Sequence, residues 1–305
     1  MKIAVTGATG TIGRPLVQAL LERGDEVTVL SRDPDGARRS LGAVEAIGWL
    51  DPTNEPAPSR AVAGRDAVIH LMGAPVAQRW SAGAKRDIRD SRVLGTRSLV
   101  QGLRAAEPRP QTLISQSATG WYGSRGDERL DESEPAASDF LARVCADWEA
   151  EARGAEELDV RVVTCRTGVV LAAGGGALEQ MLPPFKLGVG GPIAGGRQYL
   201  PWIDLEDEVG ALLFCLDHEG ASGPVNLTAP EPVTNKEFSR ALARVLHRPA
   251  VVPVPGAALR LLFGEMASII TVSQRAVPRR LEQLGYRFRQ PSLDQSLRAA
   301  TGRRP

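Results

Sequence analysis

The feature that most constrains this chain is a run near its start, Thr6-Gly7-Ala8-Thr9-Gly10-Thr11-Ile12-Gly13. An apolar, strand-like stretch, Ile3 to Thr6, precedes it, and Thr11 to Arg23 follows with helical apolar spacing through Ile12, Leu16, Ala19 and Leu20. Glycines spaced GxxGxxG between a strand and a helix have separate jobs. Gly7 permits a tight turn, Gly10 presents no Cβ to an approaching ligand, and Gly13 lets helix and strand pack closely. The start of a helix offers free N–H groups and the positive end of its dipole to phosphate. The run therefore predicts a dinucleotide-binding loop, with Thr9, Thr11 and Ile12 adding backbone or hydroxyl contacts. The alternative is a glycine-rich turn that holds nothing.

Strand-like runs then alternate with helical ones. Glu26–Leu30, Val44–Trp49, Ala67–Leu71, Thr112–Ser117 and Val160–Cys165 read as strands. Helical stretches cover about 84–106 and 140–155. That alternation predicts an α/β chain, a Rossmann-type doubly wound parallel sheet with a smaller, mostly helical C-terminal lobe. Residues 1–170 read as the dinucleotide-binding domain, completed by parts of 200–230, where Asp204–Leu216 is helical and Val225–Leu227 strand-like. Residues 171–305 read as a substrate lobe, with a C-terminal unit from about 253. In it, Ala257–Leu262, Ser273–Leu284 and Ser292–Ala300 are expected as short helices. The glycine-rich stretches 174–176 and 188–196 are lids over a cleft, or turns.

With 43% hydrophobic and 24% charged residues and a net charge of +1, no basic surplus points to nucleic acid or an anionic membrane. No leader-like segment or long apolar run is visible, so the expected place is the cytoplasm. Cys145, Cys165 and Cys215 make no metal-ligand spacing and read as free buried thiols. His70, His218 and His247 form no cluster, so neither a metal site nor a Ser-His-Asp triad is indicated.

The end of the second strand bears on which dinucleotide is held. Where an NAD site places Asp or Glu on the ribose, this chain has Ser31 and Arg32. A hydroxyl and a guanidinium suit a 2′-phosphate, with Arg38 or Arg39 at hand, so NADP(H) is the expected cofactor. Arg32 read blandly is a solvated surface arginine. Leu71, Met72 and Gly73 follow the fourth strand, where backbone would pass under the adenosine ribose. Asp51 either accepts from the adenine amino group or caps the turn before Pro52.

The chain resembles the extended short-chain dehydrogenase/reductase superfamily, and more narrowly its atypical epimerase-family, or nucleoside-diphosphate-sugar epimerase-like, branch. TGATGTIG (6–13), HLMGAPVAQRW (70–80), IRDSRVLGT (88–96), SQSATGWYG (115–123) and RTGVVL (166–171) carry the resemblance. Distally, LPPFKLGVGGPIAGGRQYLPWID (182–204) and the stretch 259–297 extend it across essentially the whole chain. The resemblance implies that Arg92, in a position where most members carry Asn, faces the cleft and holds phosphate or ribose. It implies that the backbone of Val169 and Val170 meets the nicotinamide carboxamide. It also exposes a departure. Ser117 matches the family's substrate-positioning Ser, but Leu141 and Cys145, or Ala142 and Ala146 in the other register, stand where the Tyr-x-x-x-Lys pair does its acid–base work.

Tyr122 is the nearest phenol to Ser117, and is either a replacement acid in the nicotinamide pocket or an aromatic packed beside Trp121. Asp204 either replaces a His of the family or, with Asp207, begins a helix. Arg79, Trp80 and Trp202 are pocket walls or packing. Two functions stand. One is an NADP(H)-dependent oxidoreductase or epimerase on a small polar or sugar-nucleotide-like substrate, in a superfamily where homodimers are common. The other is a non-catalytic NADP(H)-binding regulatory or redox-sensing protein.

Overall fold

The structure, a computed structural model, describes residues 1–250 and 252–303. Seven strands form one parallel sheet: β1 (Lys2–Thr6), β2 (Glu26–Ser31), β3 (Glu45–Gly48), β4 (Ala67–His70), β5 (Thr112–Ala118), β6 (Arg161–Thr167) and β7 (Gly223–Leu227). Their spatial order is β7-β6-β5-β4-β1-β2-β3. The strands read as near-continuous apolar runs because both faces are covered, as a parallel sheet requires.

Helices α1 (Gly13–Glu22), α2 (Pro34–Leu41), α3 (Ala82–Arg104), α4 (Phe140–Arg153), α5 (Gly176–Lys186), α6 (Leu205–Asp217) and α7 (Asn235–Leu246) surround it. On one face Leu16, Val17 and Leu20 of α1 and Leu212 and Leu216 of α6 pack on Ile3, Val5, Ile69, Ile114 and Val163. On the other, Leu99 and Leu103 of α3 and Ala152 of α4 pack on Ala4, Val68, Leu113 and Val162. Burying each such Leu or Ile contributes about 1.5–3 kcal/mol. A third core holds Leu178 and Phe185 of α5, Trp202, Phe238 and Leu242 of α7, and Leu297.

Strand order reverses between β1 and β4. Ligands of open α/β sheets bind in the crevice beyond the carboxyl ends of the strands at such a point. The sequence puts the glycine run at the end of β1 and residues 71–73 at the end of β4.

Several elements differ from the sequence reading, three of them instructive. Residues 273–278 are not helical: Arg275–Ala276 pair in parallel with Arg129–Leu130, and the helix covers only Arg279–Leu284, after Pro278. Proline lacks the N–H a helix interior needs and disfavours helix in the residue before it. Helix α2 was not foreseen; Asp33 caps it through Gly36 N–H at 2.9 Å. Helix α7 was not foreseen either, although Thr234 and Glu237 form a capping box.

Candidate dinucleotide site and its surroundings

The glycine run forms a cradle in which backbone sits where side chains would have to be. Gly7 has φ +68° and lies so close to the end of β4 that a Cβ there would be 2.8 Å from the Leu71 carbonyl. A Cβ on Gly13 would be 2.2 Å from the Gly7 oxygen. Gly10 N–H donates to the Gly7 carbonyl at 3.0 Å and closes the turn. The N-terminus of α1 has no side-chain cap and no acidic residue in its first turn. Its N–H groups and dipole are therefore available to an anion. Thr9 lends its carbonyl to Arg14 Nε at 2.9 Å, which fixes the loop's outer edge. Thr11 lies against Gly175, at the start of α5, so the glycine-rich segment 174–176 borders the cradle.

At the end of β2, Ser31 Oγ accepts from Asp33 N–H at 3.1 Å and donates to the Asp33 carbonyl at 3.0 Å, holding the turn into α2. Arg32 is exposed and forms none of the side-chain bonds that tie down its neighbours. Arg38 is turned away, onto Asp35 and the Ala46 carbonyl, while Arg39 is exposed. Asp51 accepts from Thr53 Oγ and Asn54 Nδ2, both at 2.8 Å, and these bonds hold its carboxyl below its ordinary pKa. It builds its own turn while remaining partly accessible.

Beyond β4, the Arg92 side chain reaches from α3 to lie flat against Gly73. A Cβ at residue 73 would sit 2.9 Å from its Cζ. Arg92 Nη1 donates to the Ala74 and Ile88 carbonyls, each at 3.0 Å, and Cζ stands 5.2 Å from the Trp148 ring centroid. Val169 and Val170 are half-buried in a short strand, Val169–Leu171, paired with Trp202–Asp204.

Ser117 and Tyr122, the acid–base candidates, both lie inside the protein. Ser117, 1% exposed, donates to Glu149 Oε1 at 2.7 Å. Glu149 is gripped bidentately by Arg166, Nε–Oε1 2.8 Å and Nη2–Oε2 3.0 Å. Arg166 Nη1 donates to the Tyr122 oxygen at 3.2 Å, and the Tyr122 hydroxyl donates to Asn226 Oδ1 at 2.7 Å. Tyr122 is 0% exposed, and burial pushes its phenol up to about 12. Neither hydroxyl is presented to a substrate: both are spoken for inside a network that satisfies a buried ion pair. Asn226 and Glu132 extend the network to the C-terminal segment, through the Val277 carbonyl at 2.9 Å and Arg280 N–H at 3.1 Å.

The positions lacking the Tyr-Lys pair are sealed by packing. Gly120 at the end of β5 comes so near α4 that a Cβ there would be 3.5 Å from both Leu141 Cβ and Cys145 Sγ. The Cys145 thiol is 4% exposed and pushed up to about 12, chiefly by burial and then by the Glu149 charge. It is a packing residue at neutral pH.

A second polar cluster lies on the opposite face of the sheet. Gln116 Nε2 donates to Thr167 Oγ at 2.6 Å, and Thr167 Oγ donates to Glu208 Oε1 at 2.8 Å. Glu208 is fully buried, and desolvation pushes its carboxyl up to about 8. Gln116 Oε1 and Glu208 Oε2 are both buried without a partner. A proton on Glu208, which this pKa keeps in place at neutral pH, removes the charge that burial penalises. Nothing in the sequence singled out Glu149, Arg166 or Glu208. The usable signal was a charged residue, Arg166, inside a strand of a sheet covered on both faces, which demands a buried carboxylate.

His70 is a structural residue. It bridges Thr6 Oγ (2.7 Å) and Thr96 Oγ (3.0 Å), and burial drops its pKa to about 4. Asp204 caps α6 through Glu206 N–H at 2.7 Å, and Asp207 accepts from Arg289 and Gln290 N–H groups, each at 2.8 Å, docking the C-terminal segment. Trp202, 1% exposed, packs in the lobe core, Trp80 stacks edge-on against Phe140 at 5.2 Å, and Arg79 is exposed. Among the described residues no helix is long and apolar enough to cross a membrane.

The model of the NAD dependent epimerase/dehydratase family matches residues 3–227. The chain belongs to that family. A domain of unknown function, DUF1731, matches residues 254–300. Epimerase family protein Mb2239 of Mycobacterium bovis is 42% identical over 303 residues, 99% of this chain and 98% of its own. A crystal structure of human epimerase family protein SDR39U1 with NADPH superposes with a TM-score of 0.87 at 32% identity, covering 99% of both chains. A nucleoside-diphosphate sugar epimerase from Corynebacterium glutamicum superposes at 0.77 with 33% identity, over 99% of this chain and 58% of its own.

Proposed function

We propose that this chain binds NADP(H) and works as an oxidoreductase or epimerase on a small polar or sugar-nucleotide-like molecule in the cytoplasm. The carrying observation is the cradle: Gly7 and Gly13 leave no room for a Cβ, beside an α1 N-terminus free of caps and acids. The residues present fit the cofactor. The α1 N-terminus and Thr11 would hold its pyrophosphate, and Arg32 with Ser31 its 2′-phosphate. Asp51 would take its adenine, the Leu71–Gly73 backbone its adenosine ribose, and the backbone of Val169 and Val170 its carboxamide. When bound, NADPH supplies a hydride; the chain's residues orient it and exclude water. The human relative crystallised with NADPH supports the choice of cofactor.

Calorimetry on the purified chain tests this reading. NADPH is expected to bind tighter than NADH, and equal affinities would overturn the assignment. A second reading, an NADP(H)-holding regulatory or redox-sensing protein, is favoured by the locked Ser117 and Tyr122 hydroxyls. Oxidation of NADPH in the presence of a panel of carbonyls and sugar nucleotides separates the two: turnover supports the enzyme, and its absence across the panel supports the regulator.

A further inference from the structure

Arg92 is a half-buried cation with no carboxylate paired to it among the described residues. Burial draws its pKa down, and no carboxylate charge offsets that. Removing a guanidinium from water costs several kcal/mol unless an anion or a full set of acceptors compensates. Only Nη1 is bonded, to the Ala74 and Ile88 carbonyls. Among the described residues Nε and Nη2 donate to no protein acceptor, and neither is among the fully buried atoms without a partner, so this edge keeps some exposure beside Gly73. The Nε–Nη2 edge is the side of a guanidinium that grips a planar carboxylate with two parallel hydrogen bonds.

The position of that edge narrows what it meets. Gly73, against which the guanidinium lies, follows Leu71 and Met72, and these two abut Gly7 of the cradle. Arg92 therefore stands on the β4–β5 side of the pyrophosphate loop, whereas Arg32 stands on the β2 side. Trp148 and Cys145 flank it from α4. The cofactor's phosphates already have the α1 N-terminus and Arg32. On this side the neighbouring hydroxyls of Ser117 and Tyr122 are turned into the protein, which leaves Arg92 as the charged group offered to a second ligand.

Building on the NADP(H) reading, we infer that the free edge of Arg92 is a recognition site for a carboxylate on the substrate, which places this chain's substrates among small organic acids or acidic sugars. The guanidinium is positioned by Gly73 beneath, Trp148 beside and the two carbonyls behind. A carboxylate bound there pairs with a cation whose desolvation the fold only partly offsets, which adds to the charge-assisted hydrogen bonds.

The test uses the full chain saturated with NADP+, titrated calorimetrically with acetate and benzoate and, as neutral shape controls, acetamide and benzamide. The carboxylates are expected to bind and the amides not. Arg92→Gln should weaken carboxylate binding by at least about tenfold, the loss expected for a charge-assisted pair. Arg92→Lys, which keeps the charge but not the paired donors, should fall between and covers the case in which Arg92→Gln fails to fold. The affinity of each variant for NADPH is measured alongside and should stay within about threefold of the unmutated chain. Equal binding of acids and amides, or equal acid affinity in the variants, overturns the inference. A tenfold loss of NADPH affinity on removing Arg92 also overturns it, by making Arg92 a cofactor ligand. An unmutated chain that does not bind NADPH at all overturns instead the reading on which it rests.

Discussion

The two ends of the cleft are built from different materials. Between β1 and β2 the cradle is backbone: two glycines that admit no Cβ, an uncapped helix start, and one exposed arginine. At the ends of β5 and β6 the structure is side chain: Ser117, Glu149, Arg166, Tyr122 and Asn226 bonded in series, fully enclosed. The first end is open and preorganised for an anion. The second spends its donors on itself. In a family where the β5 end and the following helix are expected to handle protons, this chain has turned that region into a structural knot joining β5, α4, β6, β7 and the C-terminal segment. Within one cleft, the dinucleotide end is open to an anion, and the hydroxyls and charges at the β5 end are bonded to one another inside the protein.

The comparison breaks most visibly at Glu149. Glu149→Ala leaves Arg166 buried and unpaired, and removing one partner of such a pair costs about 3–5 kcal/mol. Urea denaturation should show that loss, and Glu149→Leu combined with Arg166→Met should restore most of it. If the single substitution instead left stability intact but abolished NADPH binding, the network would belong to the cofactor site and the division drawn here would fall.

Glu208 gives the next effect, read through pH. Its folded pKa is raised from 4.5 to about 8. Between those values the folded state holds a proton that the unfolded state has lost, so the stabilisation is complete below the unfolded pKa and is lost as pH rises through the folded one. The slope from one such proton is at most about 1.4 kcal/mol per pH unit. Chemical denaturation from pH 5 to 8.5 should show stability falling more steeply in the unmutated chain than in Glu208→Gln, which mimics the protonated side chain. Parallel profiles would mean that Glu208 is ionised in the fold and that an unseen donor meets its second oxygen.

At the open end, Arg32→Ala removes a charge-assisted contact, commonly about 1.5–3 kcal/mol. Affinity for NADPH should drop toward that for NADH, with NADH affinity and thermal stability little changed, because Arg32 is exposed. A variant that still prefers NADPH would move recognition of the 2′-phosphate to another residue, such as the exposed Arg39 of α2.

These differences track what the sequence made legible. The glycine cradle was readable because turn, phosphate site and helix start are all encoded within residues 6–13. The sheet was readable from buried apolar runs. Of the two readings of Tyr122 the structure shows the packed one, beside Trp121; the choice was not legible because its partners, Asn226 and Arg166, lie 104 and 44 residues away, and nothing local says which way a phenol turns. The segment 273–278 was misread as helix because its pairing partner, Arg129–Leu130, is equally remote. Helix α7, by contrast, was legible and overlooked: Thr234-x-x-Glu237 before an amphipathic run is a local signal.

The smallest expected effect tests whether the sealed positions on α4 are truly inert. Cys145 stands against Gly120 and beside Arg92, close enough to the cleft that a reactive thiol there would change the chemistry available to the chain. Its pKa of about 12 argues otherwise, since the thiolate is the nucleophile and is absent at neutral pH. Cys145→Ser nearly keeps the size while exchanging the thiol for a hydroxyl, which has no thiolate chemistry. It should leave NADPH affinity within about twofold and shift stability by no more than about 1 kcal/mol, the scale of a conservative core change. Iodoacetamide should fail to label Cys145 in the folded chain and should label it once urea has unfolded it. Rapid labelling of the native protein, blocked by NADPH, would instead mean that the α4 positions open to the cleft, and the β5 end would have to be counted as part of the reacting site.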